Sequence, residues 1–338
     1  MKLLVLGGSV FLGRHTVAAA LARGWEVTTF NRGVTSADVP GVRVVRGDRT
    51  EPRDLARLAE QGPWDAVVDV CGFVPRYVGA AVRALSAQAG SYVFISSVSA
   101  FPGWPAEAVD EDSPRFACSP DAGPEDGDYG TLKSGCERAV ERDFPGRVLI
   151  INPGLIIGPH ENVGRVPYWL RRAARGGDML APGPRDRPLQ LVDARDIAAF
   201  TLDSLERERT GRYITSGVRG NCTWGELVDT CVELTGSLAR PVWVDDDFLL
   251  GHEVAVWSGL PLWMPDRPEF AAVWAPDSSR ALAAGMSCRP VVESLRDTWA
   301  WLSGDDVPEV LPRYRGGLPD NGMEPQRERD VIAAWFDR

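Results

Sequence analysis

Lysine is almost missing from this 338-residue chain: of 37 basic residues only Lys2 and Lys133 are lysines, and arginine supplies every other basic side chain. Metal and disulfide chemistry have little to draw on either. The histidines (His15, His160, His252) and cysteines (Cys71, Cys118, Cys136, Cys222, Cys231, Cys288) form no Cys-x-x-Cys pair and no local cluster, so reduced thiols and no metal are expected. No apolar run approaches the roughly 20 residues that cross a bilayer, and none is expected to do so. The N-terminal apolar stretch is broken by Arg14 and His15 with no cleavage-like site after it, which argues against a signal peptide. A net charge of -10 disfavours nucleic acid, whose phosphates require clustered cations. These absences leave the expectation of a cytoplasmic enzyme with a small-molecule substrate, in a chain whose 44% hydrophobic content can bury a large core.

Against that scarcity, Lys133 stands four residues after a tyrosine, in Tyr129-Gly130-Thr131-Leu132-Lys133. Residues four apart share a helix face, so phenol and ammonium can address one bound molecule. A nearby ammonium favours phenolate, which a phenol of pKa about 10 needs before it works as an acid or base. At the N-terminus, Lys2-Leu3-Leu4-Val5-Leu6 reads as a strand and Gly7-Gly8-Ser9-Val10-Phe11-Leu12-Gly13 as a tight turn. Leu12, Val17, Ala18, Leu21 and Ala22 then recur at helical spacing up to Arg23-Gly24. Glycines in such a turn let the backbone approach a pyrophosphate and aim helix N–H groups at it.

The next strand, Glu26 to Phe30, runs into Asn31-Arg32-Gly33, about where an NAD site places a carboxylate on the ribose 2′-OH. A guanidinium there can hold a 2′-phosphate through two parallel hydrogen bonds, so NADP(H) is expected in preference to NAD(H). Short β-rich runs at residues 2–6, 26–30, 42–46, 65–71, 91–97 and 147–152 alternate with helical patterns, which predicts an α/β fold with a parallel sheet covered on both faces.

Taken in order, these segments resemble the extended short-chain dehydrogenase/reductase superfamily, the NAD-dependent epimerase/dehydratase-like proteins. The resemblance extends over Gly47-Asp48, Asp65 to Gly72, Tyr92 to Ser97, Asn152 to Pro159 and Leu191 to Ala198. It implies a Rossmann doubly wound parallel sheet in residues 1–155, with 190–215 returning to it. A smaller interleaved C-terminal substrate lobe would come mainly from 156–189 and 216–338. Cofactor contacts would come from Gly7, Ser9, Phe11, Leu12 and Gly13 in the turn, Asn31 and Arg32 after the second strand, and Asp48 at the adenine. Cys71, Gly72 and Phe73 would lie along its path, with Pro153, Gly154, Leu155 and Ile156 beside the nicotinamide. Ser97, Tyr129 and Lys133 would be the catalytic trio, Lys133 also holding the nicotinamide ribose; Ser96 and Ser99 are alternatives for the serine. Homodimers through a helix pair are common for this fold.

Several departures shape the expected reaction. Val10 occupies a position usually held by a third glycine, where a β-branched residue restricts the backbone. The Asp-Glu pair that sugar-nucleotide dehydratases carry after the serine is Val98-Ser99 here, so no carboxyl is present for elimination chemistry. An arginine for a sugar-nucleotide pyrophosphate is expected where the chain has Leu189, with Arg187 two residues early. Residues 98–128 read as a long proline-containing loop, functional or mobile. Nine tryptophans lie beyond residue 150; such rings more often pack a small lobe than line a pocket for an aromatic or natural-product substrate. Pro325 to Trp335 reads as an amphipathic helix docking on the body or on a second subunit. The expected function is NADPH-dependent reduction of a ketone or aldehyde of a small organic molecule. The alternatives are an NAD-dependent nucleotide-sugar epimerase and a non-catalytic nucleotide sensor, although sensors of this fold typically lose the tyrosine or lysine kept here.

Overall fold

Leu3, Leu4, Val5 and Leu6 have no solvent exposure, because their strand has apolar neighbours on both sides and helices over both faces. A computed structural model describes residues 1–304, 307 and 322–338. The first half comprises β1 (Lys2–Leu6), α1 (Phe11–Ala22), β2 (Glu26–Asn31), β3 (Arg43–Arg46), α2 (Pro52–Ala59), β4 (Trp64–Asp69), α3 (Pro75–Leu85), β5 (Ala89–Ile95), α4 (Tyr129–Asp143) and β6 (Arg147–Pro153). Then follow β7 (Leu155–Ile157), α5 (Arg165–Ala174), β8 (Gly177–Pro182), β9 (Pro188–Leu189), β10 (Leu191–Asp193), α6 (Ala194–Glu206) and β11 (Gly211–Thr215). The remainder is β12 (Cys222–Thr223), α7 (Trp224–Thr235), β13 (Ala239–Val244), α8 (Asp246–Gly251), α9 (Ser279–Ala283), α10 (Val291–Leu302) and α11 (Pro325–Phe336).

The main sheet has seven parallel strands in the order β11-β6-β5-β4-β1-β2-β3. Successive strand side chains point to opposite faces: Leu3 and Val5 join the apolar cluster with Val17, Ile197 and Phe200, whereas Leu4 and Leu6 join the one with Tyr92, Phe94 and Val140. The order reverses between β1 and β4, so a crevice opens at their carboxyl ends. In the segment after residue 190, α6 packs on α1 and β11 pairs with β6. Leu191–Asp193 pairs with β7 in a separate two-stranded ladder, and Ala281 and Met286 also pack into the β1–α1 cluster.

A separate core forms between residues 155 and 332, with Trp169, Trp224 and Trp263 fully buried in it. Helix α11 docks on this core: Val331 and Ile332 are buried in it, and Glu328 accepts hydrogen bonds from Arg172 Nε at 2.6 Å and Leu180 N at 3.0 Å. The long segment after β5 forms one short 3-10 turn, Val98–Ala100, and no further helix or strand before α4. It is fixed to the later chain by Trp104 Nε1 donating to the Val273 carbonyl (3.3 Å), Ala272 N to Pro105 (2.9 Å) and Asp277 N to Val109 (2.8 Å).

Candidate active site

A cavity of about 750 Å³ follows the crevice at the strand ends. Every residue expected around cofactor and substrate lines it, with one exception. Gly72 lies beneath the wall: an added Cβ there would meet Phe94 and Val78, and its carbonyl accepts from Lys133 Nζ at 2.9 Å. Its carbonyl thereby holds the lysine.

The turn between β1 and α1 needs its glycines. Gly7 and Gly8 have φ of +103° and +96°, and a Cβ on Gly13 would sit 2.8 Å from a Val70 methyl and 2.9 Å from Gly8 N. Val10 takes φ -127° and ψ 139°, extended backbone open to a β-branched residue, so the missing third glycine causes no backbone strain. Helix α1 begins without a side-chain cap and without an acid in its first turn, leaving its amino-end N–H groups and dipole to face the cavity.

On the β2–β3 side the side chain of Asn31 is engaged: its Oδ1 accepts from Gly33 N (2.9 Å) and Arg46 Nη1 (2.5 Å), and its Nδ2 donates to Asp38 (2.9 Å). Asp38 is a carboxylate that the strand pattern did not reveal. Hydrogen bonds from Arg46 hold its carboxyl below the usual range, and it does not line the cavity. Arg32 does line it, with Nη1 3.8 Å from Asp48 Oδ2.

Under the middle of the cavity lies a group that spacing did not disclose. Arg49 makes two 2.8 Å hydrogen bonds to Asp69 at the end of β4, Tyr92 OH donates to Asp69 at 2.9 Å, and Arg49 Nη1 is 3.4 Å from Cys71 Sγ. Asp69 and Tyr92 are wholly buried. Burial pushes the Asp69 carboxyl up, but the Arg49 charge and these hydrogen bonds outweigh it and hold Asp69 below the usual value. Burial raises the Cys71 thiol, so it stays protonated.

On the β5–α4 side, Asp128 caps α4 by accepting from Thr131 N at 2.9 Å, which sets Tyr129 at the first turn, 38% exposed, and turns Lys133 inward to 3%. Lys133 Nζ donates to the carbonyls of Gly72 and Ile95 (2.9 and 2.8 Å) and lies 4.9, 4.9 and 5.9 Å from the ring centres of Phe73, Phe94 and Tyr129. Ser97 caps the short turn after β5, its Oγ accepting from Ser99 N at 3.1 Å, whereas the Ser96 hydroxyl is buried and has no hydrogen-bond partner among the described residues. Behind Ser97, Asn152 Nδ2 bridges the Ser97 carbonyl (3.0 Å) and the fully buried Glu137 (2.7 Å), which Arg115 and Arg212 neutralise at 3.0 and 2.6 Å. Glu137 falls one further helical step after Tyr129 and Lys133, a signal present in the spacing but not used.

Leu189 is buried in the second core. Arg187 is clasped by Asp246 at 3.1 and 2.6 Å and by the Met264 carbonyl, and does not line the cavity. Among the described residues no group of three or more His, Cys, Asp or Glu side chains could hold a metal ion, and no helix is long and apolar enough to cross a membrane.

A doubly wound parallel sheet whose crevice meets a Tyr-x-x-x-Lys helix is the architecture of NAD(P)-dependent short-chain dehydrogenase/reductase enzymes. The chain belongs to the NAD dependent epimerase/dehydratase family, whose model matches residues 3–215. The 2′-dehydrokanamycin reductase of Streptomyces kanamyceticus is 28% identical over 251 residues, 72% of this chain and 69% of that protein. Two solved structures are similar in fold. The Bordetella bronchiseptica enzyme WbmH in complex with NAD+ matches at 19% identity and TM-score 0.69, over 90% of this chain and 99% of that one. The Thermus thermophilus UDP-glucose 4-epimerase complex with NAD matches at 18% identity and TM-score 0.66, over 90% and 100%.

Proposed function

We propose that the chain is an NADPH-dependent oxidoreductase that reduces a ketone or aldehyde of a small organic substrate. The observation that carries this reading is that Ser97, Tyr129 and Lys133 open on the same cavity as the glycine turn and Arg32. The reductase relative supports the same reaction class and supplies one carbonyl compound to test, 2′-dehydrokanamycin. The uncapped amino end of α1 fits a pyrophosphate, held by Gly7, Ser9, Phe11, Leu12 and Gly13. Asp48 would meet the adenine, Cys71 and Phe73 the path between, and Pro153 to Ile156 the nicotinamide. When bound, the reduced nicotinamide supplies hydrogen with its electron pair to the carbonyl carbon. Tyr129 gives its proton to the carbonyl oxygen as charge grows there, and Ser97 Oγ donates a hydrogen bond to the same atom. Lys133, fixed by two backbone carbonyls, presents its charge to the phenol and to the ribose.

With the Asn31 side chain already engaged, the 2′-phosphate falls to Arg32. Arg32→Ala should cost about 1.5–3 kcal/mol of NADPH binding, the range for a hydrogen bond to a charged group, and leave NADH nearly unchanged. Equal losses in titrations with the two nucleotides remove Arg32 from that role.

A reductase consumes its cofactor stoichiometrically, whereas an epimerase regenerates it within each cycle. The epimerase reading draws on the fold neighbours, but Arg187 is tied to Asp246 and Leu189 is buried, which leaves neither facing a sugar-nucleotide pyrophosphate. The purified protein should oxidise NADPH only when a carbonyl substrate is added. Firmly held NAD after denaturing extraction, with conversion of a UDP-sugar and no net change in nicotinamide absorbance, decides for the epimerase.

A further inference from the structure

Part of the cavity lining is apolar: Val98, Trp104, Pro105, Val163, Trp257 and Met264 belong to it. The two indoles come from distant parts of the chain; the Trp104 ring and the Trp257 backbone are each anchored. Trp104 Nε1 donates to the Val273 carbonyl at 3.3 Å, and Trp257 N donates to the Trp263 carbonyl at 3.0 Å, with Trp257 held at φ +71°. Indole faces, a proline ring and a thioether stack well on a planar π-system.

Charge narrows the choice further. Among the described lining residues Asp48 is the sole carboxylate, and it lies 3.8 Å from Arg32. The other charged lining groups are all cations, Arg32, Arg49, Lys133 and Arg165. Arg165 is only 9% exposed, with Nε 3.2 Å from Glu161 and Nη2 donating to the Ile156 carbonyl at 2.7 Å. Glu161 is wholly buried behind it and accepts from Arg165 N and Val166 N at 2.8 and 3.2 Å, so it is already engaged. An indole face can attract one cation, but several ammonium groups brought out of water with no carboxylate to receive them are costly to bury.

We infer that the cavity takes an uncharged substrate bearing a flat aromatic ring against these apolar side chains, with its carbonyl at Tyr129, and discriminates against polyamino sugars. This deepens the reductase reading and rests on it for the chemistry, while the ring selectivity rests on the wall alone. The relative's polyamino sugar is therefore a poor substrate here.

Binding separates the two claims. Tyr129→Phe protein saturated with NADPH is titrated calorimetrically with 1-tetralone and with 2′-dehydrokanamycin. The tetralone should bind at least about tenfold more tightly, Trp257→Ala in the same background should weaken it roughly tenfold, and Trp257→Phe should restore most of the loss. Tighter binding of the polyamino sugar, or tetralone binding indifferent to both Trp257→Ala and Trp104→Ala, overturns the inference. Unmutated protein is assayed in parallel with NADPH and diacetyl, a small dione without a ring. Reduction of diacetyl without tetralone binding sinks the ring site and keeps the reductase; tetralone binding with no carbonyl reduced does the reverse.

Discussion

Tyr129→Phe is expected to lower turnover of the carbonyl substrate by about 10²–10⁴-fold, the usual contribution of a positioned acid, while NADPH still binds. The phenol ring begins α4, is 38% exposed, and the helix start is secured by Asp128, so removing one hydroxyl leaves the fold and the cavity wall in place. Because the lost interaction belongs to the transition state, kcat and kcat/KM should fall together. Lys133→Met should behave differently. Its ammonium is 3% exposed and supplies the Gly72 and Ile95 carbonyls, so that variant loses thermal stability and cofactor affinity along with turnover. Steady-state kinetics with NADPH titration and a melting curve for each protein distinguish the two patterns. Near-native turnover in Tyr129→Phe removes the trio from catalysis.

The sequence made legible whatever depends on local periodicity. The strand-turn-helix at the N-terminus, the alternation that builds the sheet, and the four-residue step from Tyr129 to Lys133 all repeat at the spacing of one element, and the structure contains each of them. The arginine after β2 was visible for the same reason. What escaped is carried by contacts between distant segments. Asp38 meets Asn31 and Arg46 because a loop folds back over β2, and a pattern search after the strand does not see it. Trp257 and Met264 line the cavity whereas Trp169 and Trp224 fill a core, although nothing in their immediate neighbours separates the two pairs. Gly72 lies in the expected motif, and its carbonyl holding Lys133 is a contact that the motif alone does not show. Residues 98–128 lack regular structure for most of their length, but their backbone and side-chain bonds to residues 272–277 make them a fixed wall.

The Arg49–Asp69 pair should give the largest stability effect. Asp69 is wholly buried and Arg49 13% exposed, with two 2.8 Å hydrogen bonds between them, so removing either partner leaves a buried charge without its counterpart. Arg49→Met and Asp69→Asn should each cost about 3–5 kcal/mol, and combining them should recover much of the loss because no charge is then stranded. The pH dependence separates the two single variants. In the unmutated protein the folded-state pKa of Asp69 is depressed, so its contribution is present above the unfolded carboxylate value of about 3.9 and is lost as pH falls through the lower folded value. In Arg49→Met the opposing guanidinium is gone and burial dominates, raising the Asp69 pKa above its unfolded value. Protons then bind the folded state more tightly, so this variant should gain stability as pH is lowered from 7 toward 5. Asp69→Asn leaves a guanidinium that stays charged throughout that range and should show no such gain. Urea unfolding midpoints at pH 7 and pH 5 measure both trends, and an Arg49→Met midpoint that falls on acidification would show that Asp69 is not the group left unpaired.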